Sequence, residues 1–208
     1  MDGVTLGPGN LAGRGVYAGR DFAAGEVVVA YELEPLDEAG YLALPAGEDL
    51  FVHSYGGHRY LYPAPARFVN HSDDPCCYQD FDRCCDIARR PVTRGEPITI
   101  DATLETGREL ETFLDAYGRA LDSLSAPALG ALVGGEAALH AGGRALRGRD
   151  AIVTALLDSP PGPWSRVEWL VGTGRWEALG SAETGGRHLT MLLKVIAGNW
   201  QLVYQHIG

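Results

Sequence analysis

The chain has almost no lysine: of its 17 basic residues 16 are arginine, and Lys194 is the exception. It has only two methionines, and its four cysteines are confined to Cys76, Cys77, Cys84 and Cys85. No apolar run approaches the roughly 18 residues that cross a bilayer, which excludes a membrane-spanning helix. The start, Met1-Asp2-Gly3-Val4, lacks the basic and apolar regions of a signal peptide, so a cytoplasmic protein is expected. No repeat or low-complexity tract is evident. Positive charge is scarce as well. The net charge is −10, with 16 acids against 8 bases in residues 1–104 and 11 against 9 in residues 105–208. Such a balance argues against nucleic acid, whose phosphates call for basic neutralisation. It suits either a basic peptide partner or simple solubility. The arginine-for-lysine bias and the 28 glycines fit a GC-rich, bacterial genome.

Hydrophobic residues make up 46% of the 208 residues, enough for a real core in one large domain or two of about 100 residues each. Two adjacent cysteine pairs lack the C-x2-C spacing that lets two thiolates reach one ion, so no metal is expected. Adjacent cysteines in a strand point to opposite faces. Small buried residues, a redox pair and a metal ligand set are all open readings of the four.

The texture changes near Thr103 to Arg108. Before it, apolar residues come in short β-like runs such as Val27-Val28-Val29 and Ile98-Thr99-Ile100. After it, Leu110, Phe113, Leu114, Tyr117, Leu121 and Leu124 fall at helical spacing. Thr106 with Glu109 makes a capping box, and Pro127 closes the helix. This predicts domains at 1–104 and 105–208. A second helix is predicted over 149–157, ended by the proline-rich stretch 158–163. Strands follow: Val167, Trp169 and Val171 alternate, as do Trp176, Ala178 and Gly180, and 189–196 is a long apolar strand. On the last strand Trp200, Leu202, Tyr204 and His206 are expected to share one face.

Three segments of the first half carry chemistry. Gly13-Arg14-Gly15-Val16-Tyr17 permits a close backbone approach to a ligand, although a hairpin turn would read the same. It lacks the third glycine and the following helix of a dinucleotide fingerprint. Arg67-Phe68-Val69-Asn70-His71-Ser72 and Arg94-Gly95-Glu96-Pro97-Ile98-Thr99-Ile100-Asp101 follow. In this order and spacing they resemble the SET family's opening G-x-G, its R-F-x-N-H-S core and its closing G-E-x-I/L-T-x-D/A-Y motif.

The resemblance implies a mainly β, SET-type knotted fold that binds S-adenosylmethionine and usually methylates a lysine side chain of a protein or peptide. It implies that Gly13, Arg14, Gly15 and Tyr17 lie along the methionine part of the cofactor, and that Asn70 and His71 contact its adenine and amino-acid ends. Ala102 stands where the family ends its third motif with a tyrosine, and the family's cysteine-rich tail is absent. Another aromatic must then line the methyl-transfer channel. Tyr78 is the expected catalytic residue, with Tyr60 and Tyr62 as further candidates.

The second half is similar to the nuclear transport factor 2-like superfamily, which includes the SnoaL-like polyketide cyclases. The pieces are Phe113-Leu114-Asp115-Ala116-Tyr117, Arg147 to Ile152, and Gly198 to His206. This resemblance implies an α+β cone with an apolar pocket for a small molecule, or a homodimer interface. His140, Trp169, Trp200, Tyr204 and His206 are the expected pocket residues, with Trp176 and His188 beside them. The whole then reads as a methyltransferase whose second domain dimerises it or recruits substrate. The alternatives are a degenerate SET half attached to a small-molecule cyclase or isomerase, and a non-catalytic binding module.

Overall fold

The computed structural model describes residues 3–9, 13–172 and 176–208. The fold is mostly β, and packing divides it into two units. The first comprises residues 1–36, 45–53 and 60–107; the second comprises 37–44, 54–59 and 108–208.

In the first unit β1 (Val4–Pro8) and β2 (Arg14–Ala18) form an antiparallel pair. Strand β3 (Val27–Ala30) and the short β4 (Glu34–Leu36) follow; the helix α1 (Glu38–Leu42) belongs to the second unit, and strands β5 (Val52–Tyr55) and β6 (His58–Leu61), with β4 and β5 flanking β6, each have residues in both. Next come β7 (Asn70–His71), β8 (Cys77–Asp80), β9 (Cys85–Ala88) and β10 (Thr99–Ile100). Strands β3, β9 and β8 make one antiparallel sheet, and β7 runs parallel to β10.

Two loops of this unit are built alike, although the sequence between them is not an extended repeat. Arg20 to Glu26 and Arg90 to Glu96 both read R-x-x-x-x-G-E. In each the glutamate accepts a backbone N–H three residues upstream, from Ala23 (2.9 Å) or Thr93 (3.1 Å). In each it also pairs with the arginine six residues back at 2.7 Å. Gly25 and Gly95 carry φ of +84° and +86°, a left-handed turn that favours glycine. Phe22 and Val92 exchange backbone hydrogen bonds across the two loops.

α2 (Thr103–Asp122) begins in the first unit and continues into the second from Arg108; in the second unit it and α3 (Ala126–Leu132) precede β11 (Val133–Ala141), β12 (Arg144–Arg147) and α4 (Arg149–Asp158). Strands β13 (Glu168–Val171), β14 (Glu177–Thr184), β15 (Arg187–Ile196) and β16 (Asn199–Ile207) complete a six-stranded sheet ordered β12-β11-β16-β15-β14-β13. All neighbours are antiparallel except β11 and β16. The apolar stripe of α2, with Leu110, Phe113, Tyr117 and Leu121, is buried in one core with Leu193, Trp200 and Leu202.

Two helix boundaries differ from the sequence reading. α2 starts at Thr103, where the Asp101 carboxylate accepts the Thr103 N–H at 3.0 Å, so Thr106 is an interior, buried residue. Pro127 does not close the helix. Leu124 ends it with φ of +49°, Ser125 caps α3 by accepting the Ala128 N–H, and Pro127 sits in the first turn of α3, where its missing N–H costs nothing.

A division of the chain at 104/105 leaves out two segments that pack with the second unit. Ser54 N–H donates to Glu109 Oε1 at 2.8 Å, Gly56 N–H to Thr112 Oγ1 at 3.1 Å, and Arg59 Nε to the carbonyl of Ala197. The Tyr41 ring lies against Gly198, leaving no room for a Cβ there. Ser54, 3% exposed, accepts the Trp200 N–H at 3.2 Å and donates to Asn199 Oδ1 at 3.1 Å. Ser54→Ala therefore strands two buried polar groups and is expected to cost about 1–3 kcal/mol. All four tryptophans lie in residues 108–208, so the urea midpoint followed by tryptophan fluorescence reports this unit. An unchanged midpoint would refute the role given to Ser54.

Candidate functional site

The three motifs of the first half, up to about 80 residues apart in sequence, meet in space. Ile98 N–H donates to the Val16 carbonyl at 2.8 Å, and Ala18 N–H to the Glu96 carbonyl at 2.9 Å, so the closing motif runs along β2. Two residues on, Thr99 and Ile100 pair with Asn70 and His71, and Ser72 N–H donates to the Ile100 carbonyl. Asn70 Nδ2 lies 3.4 Å from the Arg14 carbonyl. A Cβ at Gly15 would crowd that approach, standing 3.1 Å from Asn70 Nδ2 and 3.3 Å from the Pro8 carbonyl oxygen. Gly13 turns the chain with φ of +68°, and the Tyr17 hydroxyl donates to the Pro8 carbonyl at 2.5 Å.

The Arg-Phe dipeptide before the Asn-His has a structural task. Arg67 pairs with Glu48 and its guanidinium lies over the Phe51 ring, 5.4 Å from its centre. Phe51 meets Phe68 edge-on at 5.6 Å, and Arg14 covers Phe68 at 4.6 Å. This alternation of rings and cations holds the Asn70 turn against β2 through cation–π attraction. His71 accepts the Ala102 N–H on Nδ1 at 3.3 Å, which puts its proton on Nε2, facing Asp73 Oδ1 at 3.2 Å. At the position of the missing tyrosine, therefore, the Ala102 backbone engages His71.

Tyr78 does not face the interior. It is 44% exposed, across β8 from Ile87, while its neighbour Cys77 is fully buried. Alternation along the strand sends Tyr78 outward. Tyr62 is buried, and the half-buried Tyr31, whose hydroxyl is shut off from water, lies 5.1 Å from it, with His53 edge-on to Tyr62 at 5.0 Å. His53 Nδ1 lies 3.6 Å from Glu105 Oε1. Burial pushes the Tyr31 hydroxyl well above its usual range, reinforced by the charges of Asp86 and Glu105. Asp86, 1% exposed, is pushed up to about 8, first by burial and then by Glu105 and Cys76. Its Oδ1 has no hydrogen-bond partner, nor does Oε1 of Gln79, the residue opposite it on β8. Sequence reading passed over Tyr31, His53, Asp86 and Glu105. The available signal was Asp86 itself, an acid inside the apolar run Cys85-Asp86-Ile87-Ala88.

The adjacent cysteines do not diverge as strand geometry suggests, because β8 begins only at Cys77. The Cys76 and Cys77 sulfurs lie 3.8 Å apart, and Thr99 N–H donates to Cys76 Sγ at 3.3 Å. The Cys77 thiol's hydrogen bond holds Cys76 down to about 6, helped by Thr99, and the same pairing raises Cys77. All four thiols are free, and among the described residues no three His, Cys, Asp or Glu side chains are grouped to hold a metal ion.

In the second unit the expected pocket residues are split between two faces of the sheet. Strand β16 slips register against β15: Leu202 faces Leu193, but Tyr204 faces Leu192. Val203 is the extra residue, and a one-residue slip reverses the faces of everything after it. Trp200 and Leu202 point into the core, and beyond the bulge Gln205 and Ile207 do so. Tyr204 and the exposed His206 turn outward to join His140, with ring centres 5.8 Å and 6.4 Å from that of His140. Trp169 packs on the inner face, on Gly180, where a Cβ would be 2.6 Å from its ring. Trp176 is exposed, and His188 lies near Ser181 at 3.4 Å. Inside, the Tyr117 hydroxyl donates to Gln205 Oε1 at 2.7 Å, while Gln205 Nε2 and Trp200 Nε1 have no partner.

A mostly β unit in which a glycine strand, an Asn-His turn and a Gly-Glu closing strand converge defines a class, and comparison with protein families names it. The SET domain family model matches residues 13–101. No curated protein matches the sequence. Among solved structures, a candidate histone methyltransferase of Plasmodium falciparum is 16% identical, with 49% of this chain and 93% of that one covered and a TM-score of 0.39. A nuclear transport factor 2-like protein of unknown function from Silicibacter pomeroyi is 22% identical, covering 51% and 97%, with a TM-score of 0.39. A candidate ketosteroid isomerase from Shewanella frigidimarina is 13% identical, covering 46% and 90%, with a TM-score of 0.38.

Proposed function

We propose that the protein is an S-adenosylmethionine-dependent methyltransferase acting on the lysine side chain of a protein or peptide. The observation that carries this is the meeting of Gly13 to Tyr17, Asn70-His71 and Ile98 to Ile100 within the residues that the SET domain model matches. The run 97–100, bonded to β2 on one side and β7 on the other, is taken as the SET-type knot. The residues suit the cofactor. Gly15 leaves β2 without a side chain beside Asn70, and Asn70 Oδ1 is an acceptor without a partner among the described residues. Asn70 and His71 would hold the amino-acid and adenine ends, and Gly13, Arg14, Gly15 and Tyr17 would line the methionine chain. When bound, the cofactor supplies an electrophilic methyl group.

The channel role assigned to Tyr78 passes to the buried Tyr62 and its half-buried neighbour Tyr31, whose hydroxyl is out of water. A sulfonium methyl is attacked only by a neutral, aligned amine, and a dry aromatic wall serves that need. The acidic balance of residues 1–104 favours a basic peptide. No helix among the described residues is long and apolar enough to cross a membrane, and a cytoplasmic location suits the substrate. The second unit is assigned to homodimerisation: Leu170, Leu179, Leu192, Tyr204 and Ala138 form a row across the outer face of its sheet, with Leu170 73% exposed.

Titration calorimetry of the full chain with S-adenosylmethionine tests the reading. Saturation at about 100 times the dissociation constant would stabilise the fold by about 2.7 kcal/mol. Asn70→Ala is expected to weaken binding at least about tenfold, the effect of losing one hydrogen bond to a charged group. No binding at millimolar cofactor would favour a degenerate SET half instead.

A further inference from the structure

We propose that the second unit carries a separate binding site for a small monoanionic amphiphile, a carboxylate on a short apolar body. The site is a cavity of about 450 Å³ between α4 and the inner end of the sheet. That volume lies within the range of small-molecule sites. Its floor is apolar, with Leu139 and Ile207 on the inward face of β11 and β16 and Leu156 of α4. One wall is the α4 face made by Ala151, Thr154, Ala155 and Asp158, at the i, i+3, i+4, i+7 spacing of a helix stripe. Arg144, at the start of β12, and Arg187, at the start of β15, also line the cavity.

These two arginines set the ligand class. The chain has a net charge of −10, and five other arginines find carboxylates: Arg20 with Glu26, Arg67 with Glu48, Arg83 with Asp80, Arg90 with Glu96, Arg108 with Glu111. Among the described residues neither Arg144 nor Arg187 has an ion pair or hydrogen bond, although Asp158 lines the same cavity. Two guanidinium groups beside an apolar floor suit a planar anion whose body enters the cavity. Asp158 sharpens the choice, because its charge repels a dianionic phosphate more than a carboxylate. The cavity contains none of His140, Trp169, Trp200, Tyr204 and His206, and the proposal does not depend on the methyltransferase reading.

The test is titration calorimetry of the full chain with hexanoate, hexanol and inorganic phosphate as probes. Hexanoate is expected to bind at least tenfold more tightly than either of the others. Arg144→Gln and Arg187→Gln, at exposed positions, should each weaken hexanoate at least fivefold, leaving hexanol binding and the fluorescence-detected unfolding midpoint unchanged. Thr154→Trp, which fills the cavity from the exposed face of α4, should abolish hexanoate binding. Equal affinity for hexanoate and hexanol would overturn the proposal, as would phosphate binding as tightly as hexanoate. Wild-type hexanoate affinity in both glutamine variants, or in Thr154→Trp, would place the binding elsewhere and overturn it too.

Discussion

Trp200→Ala is expected to destabilise the second unit by about 3–5 kcal/mol, whereas His206→Ala, six residues along the same strand, should change stability by no more than about 0.5 kcal/mol. The contrast comes from the bulge at Val203. Before it, Trp200 is 1% exposed and among the largest side chains in the core that Leu110, Phe113 and Tyr117 of α2 also fill. Truncation there removes apolar contact area and leaves a cavity that a packed helix and sheet cannot fully close. After it, His206 lies on the outer face, exposed, next to His140. Urea unfolding followed by the fluorescence of the remaining tryptophans measures both variants. Similar costs for the two would mean that the strand keeps one phase throughout and that the outer cluster of His140, Tyr204 and His206 does not exist.

Asp86→Asn should stabilise the first unit at pH 8 by about 2–4 kcal/mol and leave it nearly unchanged at pH 4. In the folded chain the Asp86 carboxyl is pushed up to about 8 by burial, against an ordinary value of 3.8. Between those values the folded chain keeps the proton and the unfolded chain releases it. The unfolded state therefore binds fewer protons, and stability falls as pH rises from about 4 to about 8. Asparagine does not ionise, so the loss disappears. Its amide can also donate to Gln79 Oε1, which has no partner at present and sits on the residue directly across the β8–β9 pair. The first unit has no tryptophan, so hydrogen exchange of peptides from β8 and β9 is the suitable measure. A stability difference that is flat with pH would show that Asp86 ionises normally.

Under the proposed methyl transfer the same carboxyl has a second consequence. Asp86 and Glu105 act electrostatically on Tyr31, which lies beside Tyr62, so ionisation of Asp86 would change the charge that an incoming amine meets there. Methyl transfer through this site should therefore have a pH dependence that shifts in Asp86→Asn, and Tyr78→Phe should leave it untouched.

Local chemistry was legible in the sequence. The G-x-G, N-H-S and G-E-x-I-T segments named the first unit, because a close backbone approach and a left-handed turn each demand particular residues wherever they occur. The helix predicted over 149–157 is found at Arg149–Asp158, since its apolar period and the prolines after it act within a few residues. What failed was whatever depends on a distant partner. Thr106 and Glu109 read as a capping box, but Glu109 bonds Ser54, 55 residues away, and Asp101 starts the helix. Distance from a motif points to Tyr78, yet alternation along β8 leaves that ring 44% exposed, while the buried Tyr62 lies outside any strand and is placed by tertiary packing alone. The last strand shows the reason most clearly. Leu202-Val203-Tyr204 is an apolar triplet that fits either phase of the alternation, so the sequence does not say which phase follows it; only pairing with β15 inserts Val203 as the extra residue and turns Tyr204 and His206 away from the core.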